Sequence, residues 1–340
     1  MHIFRNDTHL LHTPVHEFYD GALIPPFESA ERARIIDRAL NATGYPIHEA
    51  ISAVPESLLA RIHTRDYLHY LQHIYARWCA AGGAPEAVLP STLAVRWMHR
   101  HSPHPLAEPG YYAFDLSAPI VAGTWHAALD AASMAYSASL AVVNGATYTY
   151  ARCRPPGHHA GSDMCGGYCY MNNAAIAAET ALARGRVAIL DIDIHHGNGT
   201  QQIFYAREDV TFVSIHGEPE ECYPYFLGFA DEHGIDAGYG HNRNIPLALG
   251  CDDATFLQAI DDACAFISTQ HVHTLVISAG FDTYAGDPLG GFALTRDCYT
   301  HVGRRCAALG MPIVVVQEGG YAIDALGDNL VALLHGISGV

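Results

Sequence analysis

The chain has 340 residues, with 18 arginines, no lysine and 35 acidic residues, for a formal charge of −17. Without lysine there is no Schiff-base amine, no P-loop lysine and no anchor for pyridoxal phosphate, and the acidity argues against nucleic acid, whose phosphates it would repel. Half of the residues are apolar and 16% are charged, which fills a large core, while no apolar run reaches the ~20 residues that cross a bilayer. Residues 1–12 lack the basic-then-apolar order of a signal peptide. Residues 28–42 and 65–81 read as helices, and 85–109 as a long loop rich in proline and histidine. From about residue 120, helical and strand patterns alternate. Thr124 is a candidate cap for a helix over 125–143, followed by a strand at 147–153 and a loop at 154–170. Asn172 starts an alanine-rich helix ending near Gly185, and 187–193 is an apolar run of the buried parallel type. A helix at 200–207, a strand at 210–215, and a helix capped by Asp252 or Asp253 and running to about 269 come next. The strand 274–279, helix 295–309, strand 312–316 and a last helix from about Ala325 complete the chain.

That rhythm predicts an α/β fold, one domain over 1–340, with a mostly parallel sheet flanked by helices. The nine cysteines are odd in number and scattered through apolar segments, as buried thiols of a reducing compartment would be, which points to the cytoplasm. Ligands of open α/β sheets bind beyond the carboxyl ends of the strands, and three predicted strands run into ionisable residues there. Alternation puts Asp191, Asp193 and His195 on one face of an extended segment. One imidazole and two carboxylates, with Asp282 as the distant one, suit Zn²⁺ with an open position, though Fe²⁺ or Mn²⁺ fit the same donors. A capped strand end would account for a single Asp-x-His, but not for His158-His159, Asp282 and Gly319-Gly320-Tyr321 at the other strand ends. The rigid Arg154-Pro155-Pro156-Gly157 loop presents the adjacent His158 and His159, which can divide base and electrostatic roles. His196 points the other way and reads as structural.

The blocks at 152–173 (RCRPPGHHAGSDMCGGYCYMNN), 190–200 (LDIDIHHGNGT), 213–217 (VSIHG), 279–283 (AGFDT) and 317–321 (QEGGY) resemble the signatures of the zinc-dependent deacetylase family. The resemblance implies an arginase-like fold with an eight-stranded, mostly parallel sheet. By position it makes Asp193, His195 and Asp282 the zinc ligands, one ion per subunit, His159 the general base and then acid, and His158 an electrostatic partner. Asp191 would hold His158, and Asn198 stands where some relatives carry an aspartate facing the second histidine. Tyr321 would donate its hydroxyl to the carbonyl oxygen, with Gly167, Tyr168 and Tyr223 lining the substrate channel. Asp191, Asp193, His195, Ser214 and Ile215 match a structural site for K⁺ or Na⁺. The implied reaction is metal-assisted amide hydrolysis releasing acetate and an amine.

Glu17 in HEFYDG, PPFE at 25–28, GYY at 110–112 and YPYFLG at 223–228 are most similar to bacterial acetylpolyamine amidohydrolases. That likeness implies a cationic acetylamine substrate such as acetylputrescine, acetylcadaverine or acetylspermidine, a homodimer assisted by the 85–109 loop, and Glu17 as a channel carboxylate. Glu108 lies near a second such position, displaced by two residues. The alternative on this scaffold is a protein acetyl-lysine deacetylase. A two-manganese ureohydrolase is disfavoured because Thr283 and Tyr284, not a second carboxylate, follow Asp282. No nucleic-acid or membrane partner is expected.

Overall fold

Strands that are apolar on both faces need helices on both sides, and the chain supplies them from two directions. The computed structural model describes residues 1–49 and 51–339; Ala50 and Val340, which fall within the expected 1–340 domain, lie outside the described residues. The first half contains β1 (His2–Phe4), a hairpin of β2 (Glu17–Tyr19) and β3 (Ala22–Ile24), α1 (Ala30–Asn41), β4 (Ile47–His48), α2 (Glu56–Ile62), α3 (Arg65–Ala80), the single turn α4 (Pro109–Tyr112) and α5 (Thr124–Val143). Then follow β5 (Tyr148–Ala151), α6 (Asn173–Ala181), β6 (Val187–Asp191), α7 (Asn198–Phe204), β7 (Val210–Gly217) and β8 (Asn242–Leu247). The chain closes with α8 (Asp253–Thr269), β9 (Thr274–Ala279), α9 (Arg296–Ala308), β10 (Ile313–Gln317) and α10 (Ile323–Ser338).

Eight strands form one sheet in the order β4-β1-β5-β10-β9-β6-β7-β8. Every pairing is parallel, so the expected mostly parallel sheet is wholly so. The two-residue period sorts its side chains into two cores. Val187, Ile189, Val314 and Val316 join α3, α5 and α6 on one face through Leu71, Ile74, Ala135 and Ile176. Ala188, Leu190, Ile313 and Val315 join α1, α8, α9 and α10 on the other through Ile36, Ile260, Val302 and Leu330. The nine cysteines are free thiols, six of them buried.

Several elements depart from the sequence pattern. Thr124 does not cap α5: Gly123 takes the cap position, and the Thr124 hydroxyl instead accepts the Val121 N–H at 2.8 Å. Asn172 does cap α6, accepting the Ala175 N–H, and Asp252 rather than Asp253 caps α8. Strand β6 ends at Asp191, so Asp193 and His195 lie on the loop beyond it. The pattern gives no hint of β8, whose sequence NRNIPL is an edge strand interrupted by a proline.

One buried carboxylate ties four segments at the strand ends. Glu28 Oε1 accepts from Arg154 Nε at 2.8 Å and from Arg32 Nη1 at 3.0 Å. Arg154 reaches the carbonyls of His9 and His12, and Arg32 those of Glu318 and Gly320, so Glu28 binds α1 to the N-terminal segment and to the loops after β5 and β10. Burial opposes the Glu28 charge, but Arg154 and Arg32 outweigh it and lower its pKa from 4.5 to about 2. A carboxyl held low stabilises the fold above its unfolded pKa and loses that contribution as the pH falls. Glu28→Ala, which strands two buried guanidinium groups, should cost about 3–5 kcal/mol in denaturant unfolding. The stability gap between the native chain and Glu28→Gln should be full above pH 4.5 and close as the pH falls to about 2; a gap constant across that window would show that the ionised carboxylate is not what stabilises.

Candidate active site

The loops after β5, β6, β9 and β10 converge at the carboxyl edge of the sheet. Asp193, His195 and Asp282 each bring one ligand atom to within 4.8 Å of the others. His195 Nδ1 lies 3.0 Å from Asp193 Oδ1 and 3.3 Å from Asp282 Oδ2. The carboxylates are aimed by main-chain donors: Asp193 accepts the N–H groups of His195 and Gly319, and Asp282 Oδ1 that of Ile194. Among the described residues, Asp282 Oδ2 is buried and accepts no hydrogen bond, with His195 Nδ1 at 3.3 Å as its ion-pair neighbour. An unpartnered buried carboxylate oxygen beside a second carboxylate and an imidazole is the donor set of a dication. Gly319 has no room for a side chain, since a Cβ there would strike the carboxylates of Asp282 and Asp193. By contrast, Asp37 of the Asp7–His9–Asp37 group is already engaged by Arg152 at 3.2 Å and Arg5 at 3.6 Å.

Burial and the neighbouring Asp193 push Asp282 up to about 7. Burial opposes ionisation of Asp193 too, but His158 and His195 hold it below the usual range.

The two histidines of the 154–170 loop are locked in different ways. His158 Nδ1 donates to Asp191 Oδ2 at 2.9 Å, and His159 Nδ1 donates to Asn198 Oδ1 at 2.7 Å. The ring centres are 4.0 Å apart; His159 lines the cavity, while His158 Nε2 lies 3.9 Å from Asp193 Oδ2. Burial disfavours the His158 charge, yet Asp191 and Asp193 lift its pKa to about 10. Burial, His158 and His195 drive His159 well down, and its neutral Asn198 partner cannot offset them. Adjacent imidazoles with pKa values pushed apart suit one cationic and one basic role. The loop is pinned from beneath by Glu318, whose Oε2 accepts the N–H of Gly157 at 2.6 Å and of His158 at 3.2 Å.

A cavity of about 460 Å³ opens onto these groups, and its lining includes His159, Gly167, Tyr168, His195, Tyr223 and Tyr321. Gly167 packs so closely on the His159 ring that a Cβ would overlap it. Tyr168 and Tyr321 meet edge to face at 5.8 Å, and Tyr223 stands upright to His159 at 5.1 Å. Glu17, placed by sequence in the channel, is 1% exposed and absent from the lining; it accepts the Tyr168 hydroxyl at 3.0 Å, behind the wall. Glu108 is likewise buried, paired with Arg77 at 2.6 Å. The carboxylates that do line the cavity are Asp20, Asp115 and Glu221, which the sequence reading missed. Asp115 is committed to Tyr223, Ser117 and Gly167, whereas Asp20 and Glu221 are exposed at the rim. The signal for Asp20 is the Asp20-Gly21 dipeptide: both residues have positive φ and turn the β2–β3 hairpin. On the far side of the donors, Asp191 and Ser214 face each other in the β6–β7 register, with Ile215 next along β7.

A model of the family described as "Histone deacetylase domain" matches residues 26–337. Acetylpolyamine amidohydrolase 1 of Pseudomonas aeruginosa is 46% identical over 339 residues, covering 98% of both chains. Acetylpolyamine amidohydrolase of Mycoplana ramosa is 39% identical over 341 residues, with both chains fully covered. The crystal structure of acetylpolyamine aminohydrolase from Burkholderia pseudomallei superposes with a TM-score of 0.94 at 39% identity, covering 99% of this chain and 98% of that one. Every block that folds into the strand-end donors and the histidine loop falls within residues 26–337, and the chain belongs to the histone deacetylase family.

Proposed function

We propose that this amide hydrolase removes acetyl groups from acetylated polyamines and diamines, releasing acetate and the free amine. The observation that carries the reading is one cavity holding His159, with its Nε2 free, beside His195 and Tyr321. A divalent cation, zinc on this reading, held by Asp193, His195 and Asp282 would polarise the acetyl carbonyl and acidify a water. His159 takes that water's proton on Nε2 and returns it to the leaving nitrogen. His158, held through its Nδ1 by Asp191, stands beside His159 as its electrostatic partner. Tyr321 donates its hydroxyl to the oxyanion as charge develops there. Tyr168 and Tyr223 wall the alkyl chain and keep bulk water away. A structural K⁺ or Na⁺ belongs to the same reading, on the oxygens around Asp191, Asp193, His195, Ser214 and Ile215.

The rim supports a cationic substrate. Asp20 and Glu221 both line the cavity, and among the described residues no arginine does. The relatives named above are amidohydrolases of acetylpolyamines by name, which favours that class over acetyl-lysine peptides. A homodimer fits the exposed apolar side chains of the 85–109 loop, where Trp97 is 92% exposed beside Val95 and Met98.

Three outcomes follow from this reading. In an acetate-release assay, acetylputrescine, acetylcadaverine and acetylspermidine should exceed an acetyl-lysine peptide in kcat/KM by about 10-fold or more, the worth of one charge-assisted hydrogen bond; the reverse order would assign the chain to protein deacetylation. Tyr321→Phe should lower kcat by about 10²–10³-fold with full metal occupancy, whereas Asp282→Ala should lose metal and turnover together; metal loss in the tyrosine variant would place Tyr321 among the ligands. Light scattering should return twice the 36.8 kDa of one chain, and a single-chain mass would remove the dimer.

A further inference from the structure

We propose that Asp287 is the positioning residue for Tyr321, setting where its hydroxyl points by clamping the peptide on which the side chain is mounted. Asp287 follows Asp282 in the loop after β9 and is 9% exposed. Its Oδ2 accepts the N–H of Tyr321 at 2.6 Å and of Ala322 at 2.7 Å, and its Oδ1 accepts that of Leu289 at 3.0 Å. The carboxylate therefore joins the loop that carries Asp282 to the loop that carries Tyr321.

Little else fixes the tyrosine. Its ring lies under the Arg32 guanidinium, 4.8 Å from the centroid, and meets Tyr168 edge-on, but neither contact is directional enough to orient a hydroxyl. Among the described residues the hydroxyl has no protein hydrogen-bond partner, as suits a group reserved for substrate. Gly319 before it is held by its own main chain, donating to Asp193 at 2.9 Å and accepting from Phe281 at 3.2 Å, which leaves the next peptide to set the tyrosine. The control lies in the peptide between residues 320 and 321. Its carbonyl, from Gly320, accepts Arg32 Nε at 2.7 Å, and its N–H, from Tyr321, is held by Asp287. A planar peptide gripped at both polar atoms cannot rotate about its flanking bonds. Release of the N–H end frees the rotation, which is magnified at the far end of the tyrosine side chain. Asp287 also caps α10 from outside, since Ala322 at the cap position offers no side-chain acceptor. A capping role alone would cost stability without touching the hydroxyl, and the two consequences are separable.

The test is a double-mutant cycle on the metal-loaded enzyme with acetylputrescine, reading kcat, KM and metal content for Asp287→Ala, Asp287→Asn, Tyr321→Phe and the two doubles. Asp287→Ala should lower kcat by about 10²-fold, the loss that an ångström of misplacement brings, with KM and metal content held. Asp287→Asn keeps an oxygen to accept the N–H groups and should recover to within about 10-fold of the native enzyme. In the Tyr321→Phe background, where no hydroxyl remains to misplace, Asp287→Ala should cost less than about 3-fold. Equal losses in both backgrounds, or an undiminished Asp287→Ala, would overturn the proposal. Should Asp287→Ala fail to fold, the asparagine cycle reads the same coupling: a loss confined to the Tyr321 background supports positioning, and an equal loss in both overturns it. The proposal rests on Tyr321 acting as the oxyanion donor; a fully active Tyr321→Phe would overturn that reading itself, an outcome distinct from the others.

Discussion

Buried carboxylates at the ends of adjacent parallel strands are the constraint on which the site depends. Asp191, Asp193, Asp282 and Glu318 are each at or near zero exposure. Left unpaired, such charges would cost several kcal/mol apiece. The chain answers with main-chain N–H donors, and each carboxylate takes at least part of its supply from a neighbouring segment. Glu318 holds the histidine loop, Asp193 holds Gly319, Asp282 holds Ile194, and Asp287 at the edge of the same group holds Tyr321 and Ala322. The loops after four strands are thereby laced together by their own acids. The lacing leaves one oxygen over, Asp282 Oδ2, where the cation of the proposed reaction would bind.

The same lacing separates the charges of the two histidines. His158 faces two carboxylates and is driven up; His159 faces an amide and two imidazoles and is driven down. A carboxylate in place of Asn198 would pull the two values back together. The difference is set by the groups that surround each ring, so the division of labour between adjacent residues comes from their settings and not from the histidines themselves. Glu17 behaves in the same manner toward the channel wall, reaching the cavity only through Tyr168.

Much of this was legible in the sequence, and what was not has a common physical cause. The strands from β5 onward that pack on both faces are short continuous apolar runs, and these were read closely: β9 covers the predicted 274–279 without change. The fold class followed, because alternating strands and helices leave few ways to bury both faces of a sheet. Asp193, His195 and Asp282 were visible because the donors sit at the ends of those runs. Strands β1 and β4 were not, being three and two residues long and defined by their neighbours more than by their own pattern. Asp287, Asp20, Glu221 and the Glu28–Arg32–Arg154 junction were missed for another reason. Their partners are main-chain groups or side chains brought close only by the tertiary fold, and no periodicity encodes them. Glu17 shows the converse limit: a matching position names the residue, while burial decides which surface it serves.

The absence of lysine gains partial meaning from the core arginines. Arg32 uses three nitrogens at once, on Glu28 Oε1 and on the carbonyls of Glu318 and Gly320. Arg154 does the same with Glu28, His9 and His12. A planar fork with fixed donor directions satisfies three acceptors spread across separate loops; an ammonium on a flexible stem presents one point of charge and is harder to desolvate. Lysine at either position would leave carbonyls of the N-terminal segment or of the loop after β10 unpaired in the interior. At the surface positions, such as Arg34 and Arg296, where the side chains are about 60% exposed, nothing in the structure accounts for the preference. Arginine is thus demanded where a buried acid must be shared between loops, and that demand arises from the acids that build the site.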